Sequence, residues 1–161
     1  MVEQAVTQAA NLKRRAATLV EGFSQFKLQQ GTPDEAMALV ERAMQHWQRT
    51  RSRESFVRDI TDPGKGFFDR DMYVFVLDRR GTYLSFGGNP AKVGTLVQDI
   101  PGIDGQGLVD DIFGQAAREP GWVEYDINNP TTGRVQSKMS FVQAADDLVV
   151  GCGVYKNLAL T

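Results

Sequence analysis

Lys138 and Ser140 have the residue types and the spacing that most suggest chemistry. They lie two positions apart in the run RVQSKMSFV, which has the pattern of a β-strand, so both side chains would point to one face. A lysine beside a serine can activate the hydroxyl as a nucleophile. Such an enzyme also needs an oxyanion hole and a strained turn at the serine, and the middle of a strand offers neither. We therefore predict that the chain is not an enzyme, and a Ser/Lys hydrolase is the less favoured alternative.

The other reactive side chains occur singly. Cys152 is the only cysteine, so no internal disulfide or thiolate metal cluster can form, and its glycine-flanked, apolar surroundings predict a buried small side chain. His46 is the only histidine and has no second ligand at a suitable spacing, so no metal site is predicted there. The run IDGQG lacks the alternating acidic ligands of a calcium loop. Nothing resembles a haem or flavin site, and we predict no cofactor.

Hydrophobic periodicity predicts the elements that would position Lys138. Apolar residues over 2–26 are spaced alternately by three and four, which predicts a long helix that packs on its own domain or also pairs with a second copy. Thr32 and Glu35 form a capping box around Pro33, and they predict the start of a second helix that reaches Trp47. The N-terminal third is therefore predicted to be a helix pair.

From Asp69 onward the apolar period changes to that of strands. The runs DMYVFVLD and TYLSF predict a hairpin, and GLVDDIFGQAARE predicts a helix. The runs WVEYDI, RVQSKMSFV and LVVGCGVY predict three further strands with short links. The order α-α-β-β-loop-α-β-β-β predicts an α+β fold, in which the helix pair packs on a five-stranded, mostly antiparallel sheet.

The environment of Lys138 depends on whether other elements cover both faces of this sheet. The runs 72–77 and 148–155 are apolar on both faces, so both faces of the sheet are predicted to be covered. The polar face of the strand that carries Lys138 would then also lie beneath a cover. A polar strip in that position, ringed by Tyr73, Trp122, Tyr125 and Tyr155, describes a small ligand pocket. In the alternative interpretation, Lys138 makes an internal ion pair with Asp126 or Glu124.

Size and charge exclude several classes of protein. A chain of 161 residues with 42% hydrophobic content is long enough for one domain. Its net charge of −2 predicts no general attraction to nucleic acid. The basic run QRTRSRESFVR is interpreted as the solvated end of a helix rather than an anion patch. No apolar run is long enough for a membrane helix, and no secretory signal is visible.

An ordered set of short motifs resembles a known family. The set comprises YVFVLD at 73–78, GTYL at 81–84, NP and VG at 89–94, DG at 104–105, GWVEY at 121–125, NP at 129–130, Lys138 with FV at 141–142, and GCGVY at 151–155. Together they resemble the extracytoplasmic single Cache sensor domains of bacterial chemoreceptors and sensor kinases. The match covers residues 66–156, and the long N-terminal helix also stands where that family has one.

The resemblance implies a PAS-like sheet whose pocket lies opposite the long helix, beneath a helix and loops, and binds a small organic acid. It implies one domain over 1–161, with N-terminal helices over 1–60 and the sheet and pocket over 66–156. Lys138 and Tyr73 would contact the carboxylate, and the remaining predicted ligand-binding residues are Phe75, Phe86, Asn89, Trp122, Tyr125, Ser140 and Tyr155.

One position departs from the family. Many relatives have a histidine near position 86, where this chain has Phe86 followed by two glycines, so its ligand could be bulkier or more apolar than a short monocarboxylate. The resemblance also implies a domain at the periplasmic face of the inner membrane, with trimmed flanking membrane helices and a possible homodimer through the N-terminal helix. A histidine kinase or diguanylate cyclase sensor with a non-carboxylate ligand is the alternative.

Overall fold

The computed structural model describes residues 31–50, 52–128 and 133–156. Within these ranges lie three α-helices: α1 (Pro33–Thr50), α2 (Arg53–Thr61) and α3 (Gly105–Arg118). The strands are β1 (Phe68–Asp69), β2 (Met72–Leu77), β3 (Tyr83–Phe86), β4 (Gly121–Asn128), β5 (Val135–Ala145) and β6 (Leu148–Tyr155). The predicted long helix over 2–26 falls outside the described residues.

All the strands pair antiparallel in one sheet. Strands β4, β5, β6 and β2 lie side by side in that order, and β1 and β3 both pair with β2. The predicted α+β class and antiparallel sheet are confirmed. The two-residue strand β1 adds one strand to the predicted five, and it was missed because two residues are too few for a periodic signal.

Helices α1 and α2 cover one face of the sheet. The capping box at the start of α1 is confirmed, because Thr32 Oγ1 accepts from the Glu35 amide at 3.3 Å and Glu35 Oε1 accepts from the Thr32 amide at 3.2 Å. Between these helices and the sheet lies an apolar cluster, which we call the helix-side core. It consists of Ala36, Val40, Ala43, Met44, Phe56, Ile60, Phe67, Met72, Val74, Val76, Ala145, Leu148, Val150, Cys152 and Val154.

The basic run 48–58, predicted to be the solvated end of a helix, contains the end of α1 and also the start of a further helix. Helix α1 ends at Thr50, and α2 begins after Ser52, whose side chain caps α2 by accepting from the Ser55 amide at 3.3 Å. The side chain of Arg58 is exposed, and Arg53 pairs with Asp147 at 3.1 Å. The run therefore spans the junction of two helices.

Helix α3 and the loop 87–104 cover the opposite face. Asp104 caps α3 by accepting from the Gly107 amide at 3.1 Å. This layer and the sheet enclose the second apolar cluster, the site-side core. It consists of Phe75, Leu77, Tyr83, Val97, Leu108, Val109, Ile112, Ala116, Val123, Val142 and Val149. Lys138 lies on this side of the sheet, on the same face of β5 as Ser140 and Val142, because alternate residues of a strand share a face.

Candidate functional site

Lys138 is buried in the sheet face beneath the α3 layer, and only 4% of its surface is exposed. In the register of the sheet it stands opposite Tyr125 of β4 and Tyr155 of β6. Its Nζ lies 3.5 Å from the hydroxyl of Tyr73, and it lies 5.0 and 5.2 Å from the ring centroids of Tyr73 and Tyr155. The ammonium is therefore surrounded by phenol rings and hydroxyls.

Gly153 provides the space for this lysine. It stands opposite Ser140, and a Cβ atom at position 153 would lie 2.9 Å from Lys138 Cε and 2.8 Å from Ser140 Oγ. The Cβ would also lie 3.4 Å from the hydroxyl of Tyr125. Because β6 has no side chain at this point, the aliphatic stem of Lys138 can lie along the sheet surface and bring its ammonium towards Tyr73.

No carboxylate among the described residues lies within ion-pair distance of Lys138 Nζ. The predicted internal pairs do not form: Glu124 binds Lys156 at 3.1 Å, and Asp126 accepts from Ser137 Oγ at 2.8 Å. The reason is the alternation of β4, in which Glu124 and Asp126 face away from the side that carries Tyr125.

The surroundings keep Lys138 protonated. Burial lowers the pKa of Lys138, but Tyr73, Tyr125 and Tyr155 raise it, and the result is a pKa above the ordinary lysine value. Burial in turn raises the pKa of Tyr125, against the opposing effect of the Lys138 charge. Hydroxyl dipoles and ring faces therefore surround a full positive charge.

An aromatic wall continues from Tyr73 away from the ammonium. The ring of Phe86 stacks on Tyr73 with a centroid distance of 4.0 Å and an interplanar angle of 18°. Tyr83 meets Phe86 edge-on at 5.3 Å and Phe75 at 6.0 Å. On the other side of Lys138, the hydroxyls of Tyr125 and Ser140 lie 3.1 Å apart.

The structure thus brings most of the predicted ligand-binding residues together on one face. These are Lys138, Tyr73, Phe75, Phe86, Tyr125, Ser140 and Tyr155.

Two predicted ligand-binding residues lie elsewhere. Trp122 points to the opposite face, where its ring meets Phe141 edge-on at 5.4 Å against the helix-side core. Trp122 and Tyr125 are three positions apart in one strand, so they cannot share a face. Asn89 lies half-buried in the turn after β3, where its backbone amide donates to the carbonyl of Phe86 at 3.0 Å. The described contacts around Lys138 do not include Asn89.

Asp71 is the functional neighbour that the sequence analysis missed. Burial raises the pKa of its carboxyl, and the charge of Lys138 counteracts part of that rise. Its Oδ1 accepts from the amide of Gly31 at 2.6 Å, at the point where the N-terminal segment enters α1. No local sequence pattern predicts this contact, because Gly31 and Asp71 are 40 residues apart. Tyr83 was also missed, because a β-bulge in the pairing of β3 with β2 puts it on the site side while Ser85 faces α2.

Cavities lie beside several of the described elements. One of about 290 Å³ is lined by Tyr125 and the start of α3, together with Asp104, Asp111 and Asp126. One of about 380 Å³ lies between α1 and Phe141, and one of about 100 Å³ lies beside Arg79 and Phe113. Lys138 lines none of these three.

The described residues contain neither a metal-ligand cluster nor a membrane-spanning helix. No group of three or more His, Cys, Asp or Glu side chains is placed there to hold a metal ion. Among the helices within 31–50, 52–128 and 133–156, none is both long enough and apolar enough to cross a lipid bilayer.

Comparison with known sequences identifies a matching family model and a curated relative. The model of the family described as single Cache domain 2 matches residues 2–157. The sensor histidine kinase MctS of Rhizobium johnstonii (strain DSM 114642 / LMG 32736 / 3841) is 30% identical over 90 residues. That match covers 55% of this chain and only 20% of the kinase.

Comparison with solved structures supports the fold. The chain is similar to a methyl-accepting chemotaxis protein from Vibrio parahaemolyticus RIMD 2210633, with 17% identity, 90% of this chain and 96% of that chain covered, and a TM-score of 0.54. A Cache chemosensory domain that recognises carboxylic acids is 15% identical, with 92% and 98% covered and a TM-score of 0.48. The first likeness shows a shared fold, and the second is too distant to carry an argument about the ligand.

Proposed function

The chain belongs to the single Cache domain 2 family of extracytoplasmic sensor domains of membrane receptors, and on that premise we propose that Lys138 binds a small organic acid. The protein that contains it would be a chemoreceptor or a sensor histidine kinase at the periplasmic face of the inner membrane. Since the match spans only a fifth of the kinase, the signalling module is itself part of the proposal. The role is sensory rather than catalytic.

The observation that carries the proposal is the unpaired charge of Lys138. A buried ammonium is costly unless acceptors or an anion meet it. Tyr73, Tyr125 and Ser140 supply hydroxyls around the charge, and no described carboxylate neutralises it. A ligand carboxylate would complete the site, since the ammonium and the hydroxyls can all donate to its oxygens. Because Lys138 is the one cation that the described residues bring to the site, a second carboxylate on the ligand would have no described partner, which favours a monoanion.

The route from this site to the N-terminal segment would run along the start of β2. Asp71 lies two residues before Tyr73 and holds the Gly31 amide. The neighbouring Arg70 pairs with Glu35 in the first turn of α1 and with Asp69 at 2.8 Å. A carboxylate that draws Lys138 and Tyr73 towards itself would alter the charge that Asp71 experiences and the position of β2. Signalling requires that the ligand favour one of two such arrangements.

Thermal melting with a panel of small carboxylates tests the proposal. An acid present at about 100 times its Kd would stabilise the protein by about 2.7 kcal/mol. For a chain of this length we expect the melting temperature to rise by about 5 to 10 °C. The variant Lys138→Met should lose the rise. The matched control Lys156→Met removes an exposed lysine from the strand end nearby and should keep it.

Two outcomes would count against the proposal. If no carboxylate of the panel raises the melting temperature of the wild-type protein, Lys138 is not an anion anchor. If only neutral compounds raise it, the site has the non-carboxylate ligand of the alternative function. In either case, the 30% identity to a sensor histidine kinase favours a kinase as the longer protein that contains this domain.

We also propose that the domain forms a homodimer through the apolar stripe of residues 2–26. A stripe with heptad spacing is typical of helices that pair. Sedimentation of the full chain should then show a dimer whose fraction rises with protein concentration, and Leu12→Glu, within the stripe, should abolish it. A monomer at all concentrations would overturn this part of the proposal.

A further inference from the structure

Phe86 closes the site at the side of Tyr73. Its ring covers the face of Tyr73 at a centroid distance of 4.0 Å, and Tyr83 meets it edge-on at 5.3 Å. Lys138, whose Nζ lies 3.5 Å from the hydroxyl of Tyr73, is only 4% exposed. A ligand that reaches the ammonium must therefore displace part of its surroundings. Phe86, which stacks on Tyr73, is itself half-buried and so lies between Tyr73 and the surface.

The backbone around Phe86 is held too firmly to provide this movement. The Phe86 amide donates to Thr61 Oγ1 at 3.1 Å, and the Gly87 amide donates to the carbonyl of Val74 at 2.8 Å. The backbone of Gly87 also runs so close to Phe67 that a Cβ atom there would lie 2.3 Å from its carbonyl oxygen. Because the chain is fixed on both sides of the ring, the ring itself must rotate away from Tyr73.

The space that this rotation opens has the size and shape of a phenyl ring. It is bounded by the face of Tyr73 and by the edge of Tyr83, and it adjoins the hydroxyl beside Lys138. Aromatic rings gain energy from stacked and edge-on contacts beyond the area they bury. A planar ring placed there would restore the contacts that Tyr73 and Tyr83 lose when Phe86 leaves, whereas a short alkyl chain would leave much of the space empty.

We propose that the organic acid is an aromatic monocarboxylate, whose ring replaces the Phe86 ring on Tyr73 while its carboxylate meets the Lys138 ammonium. This inference rests on the proposed function, since it needs Lys138 to bind a carboxylate. Phe86 is then the specificity-determining residue. Its ring occupies the place on Tyr73 when no ligand is bound, and it competes with the ring of the ligand for that place.

Isothermal titration with four matched compounds tests the inference. Benzoate and cyclohexanecarboxylate have the same charge and nearly the same size but differ in planarity. Benzamide keeps the ring without the charge, and propanoate keeps the charge without the ring. We expect benzoate to bind the full chain at least about tenfold more tightly than each of the other three.

The variant Phe86→Ala tests the competition directly. Removing the competing ring should raise the affinity for benzoate several-fold, because no side chain then has to leave Tyr73. The matched control Phe113→Ala removes another half-buried ring that packs on the site-side core but lies in α3, and it should leave the affinity unchanged. Thermal melting shows whether each variant is folded, and Phe86→Leu replaces Phe86→Ala if the latter is not.

The outcomes separate the inference from the proposed function. If propanoate or cyclohexanecarboxylate binds as tightly as benzoate, the aromatic ligand is wrong and the carboxylate site stands. If none of the three acids binds, both are wrong. If Phe86→Ala or Phe86→Leu weakens benzoate binding, the ring of Phe86 is a fixed wall of the pocket and the displacement is wrong.

Discussion

Lys138 combines two properties that a folded protein rarely brings together, a full positive charge and almost complete burial. The aromatic residues make this possible, because Tyr73 and Tyr155 present ring faces to the ammonium while Tyr73 also presents its hydroxyl at 3.5 Å. Gly153 leaves the space that the lysine stem needs. The site is therefore arranged around Lys138, which has ring faces and hydroxyls for neighbours and no carboxylate partner among the described residues.

Tyr73→Phe tests the role of a single hydroxyl at the residue scale. The change keeps the ring against Phe86 and removes the oxygen nearest to Lys138 Nζ. We expect it to weaken carboxylate binding by about 1.5 kcal/mol, or roughly tenfold, since one hydrogen bond to a charged group is lost. It should also lower the pKa of Lys138, because Tyr73 is among the groups that raise it.

Titration calorimetry measures the affinity, and Tyr83→Phe is the control. Tyr83 belongs to the same aromatic wall but meets Phe86 and Phe75 rather than the lysine. Equal effects of the two substitutions would show that the Tyr73 hydroxyl has no special part in binding.

At the scale of elements, α1 and α2 are joined by a partly buried polar contact. His46 Nε2 of α1 lies 2.8 Å from Asp59 Oδ2 of α2, and the Asp59 side chain is 13% exposed. The hydrogen bond to His46 holds the pKa of Asp59 below its ordinary value, against the effect of burial. A carboxyl whose pKa is lowered by folding stabilises the folded state above its ordinary pKa, and this contribution is lost as the pH falls through the lowered value.

Asp59→Asn should therefore destabilise the protein at neutral pH and much less in acid. We expect the free energy of unfolding to fall by about 1 kcal/mol at about pH 7, and by less at about pH 3, which lies below the ordinary pKa of the carboxyl. Urea unfolding of both proteins at the two pH values measures it. Asp147→Asn, which breaks the exposed pair with Arg53, should change the stability little at either pH. A loss that persists undiminished in acid would contradict the charge-based explanation.

Strand β2 is the element that connects the site to the start of α1. Burial places the pKa of Asp71 above its ordinary value, and the Lys138 charge keeps that rise smaller. As the pH rises through this raised pKa, ionisation of Asp71 lowers the stability of the fold. In Lys138→Met the pKa of Asp71 should rise further, because the cation that lowers it is gone.

The amide proton of Gly31, which donates to Asp71, reports this titration in NMR spectra. Its shift should titrate at a higher pH in Lys138→Met than in the wild type, and Lys156→Met should leave the midpoint in place. Identical midpoints in all three proteins would mean that the charge of Lys138 does not affect the Asp71 carboxyl.

The elements that the sequence predicted well are those with local signals. The capping box of Thr32 and Glu35, the alternation of β5 and the two-sided apolar strands β2 and β6 each lie within a few neighbouring residues. The break at Ser52 was missed because the basic side chains around it were read as the solvated end of one helix. Trp122 was placed in the site although its spacing from Tyr125 puts it on the other face.

The parts of the site that could not be predicted depend on tertiary contacts. Asp71 acquires its place beside Lys138 and Gly31 only when β2, β5 and α1 come together. The stacking of Phe86 on Tyr73 depends on the pairing of β3 with β2 and on the side-chain rotamers of both rings. Patterning showed that the face of Lys138 is covered, but it could not show which residues cover it.

At the scale of the whole molecule, one sheet carries two cores that use different aromatic residues. The two tryptophans, Trp47 and Trp122, pack on the helix-side core. The four tyrosines lie on the other face, around the site-side core and Lys138. Since β2 and β6 contribute to both cores, neither can unfold and leave the other intact.

The domain should therefore melt as one cooperative unit. Tryptophan fluorescence reports the helix side, and near-ultraviolet circular dichroism of the tyrosines reports the site side. We expect the two signals to give the same midpoint within about 1 °C. Midpoints that differ clearly would show that one layer detaches before the other.

The central claim is that the charge of Lys138 recognises an anion, and a four-way affinity comparison tests it most directly. The comparison uses the acid that gives the largest rise in melting temperature and the primary amide of that acid, titrated into the wild type and into Lys138→Met. The wild type should prefer the acid by about 10- to 100-fold, or about 1.4 to 2.7 kcal/mol, and Lys138→Met should show no preference. An equal preference for the acid in both proteins would contradict the account.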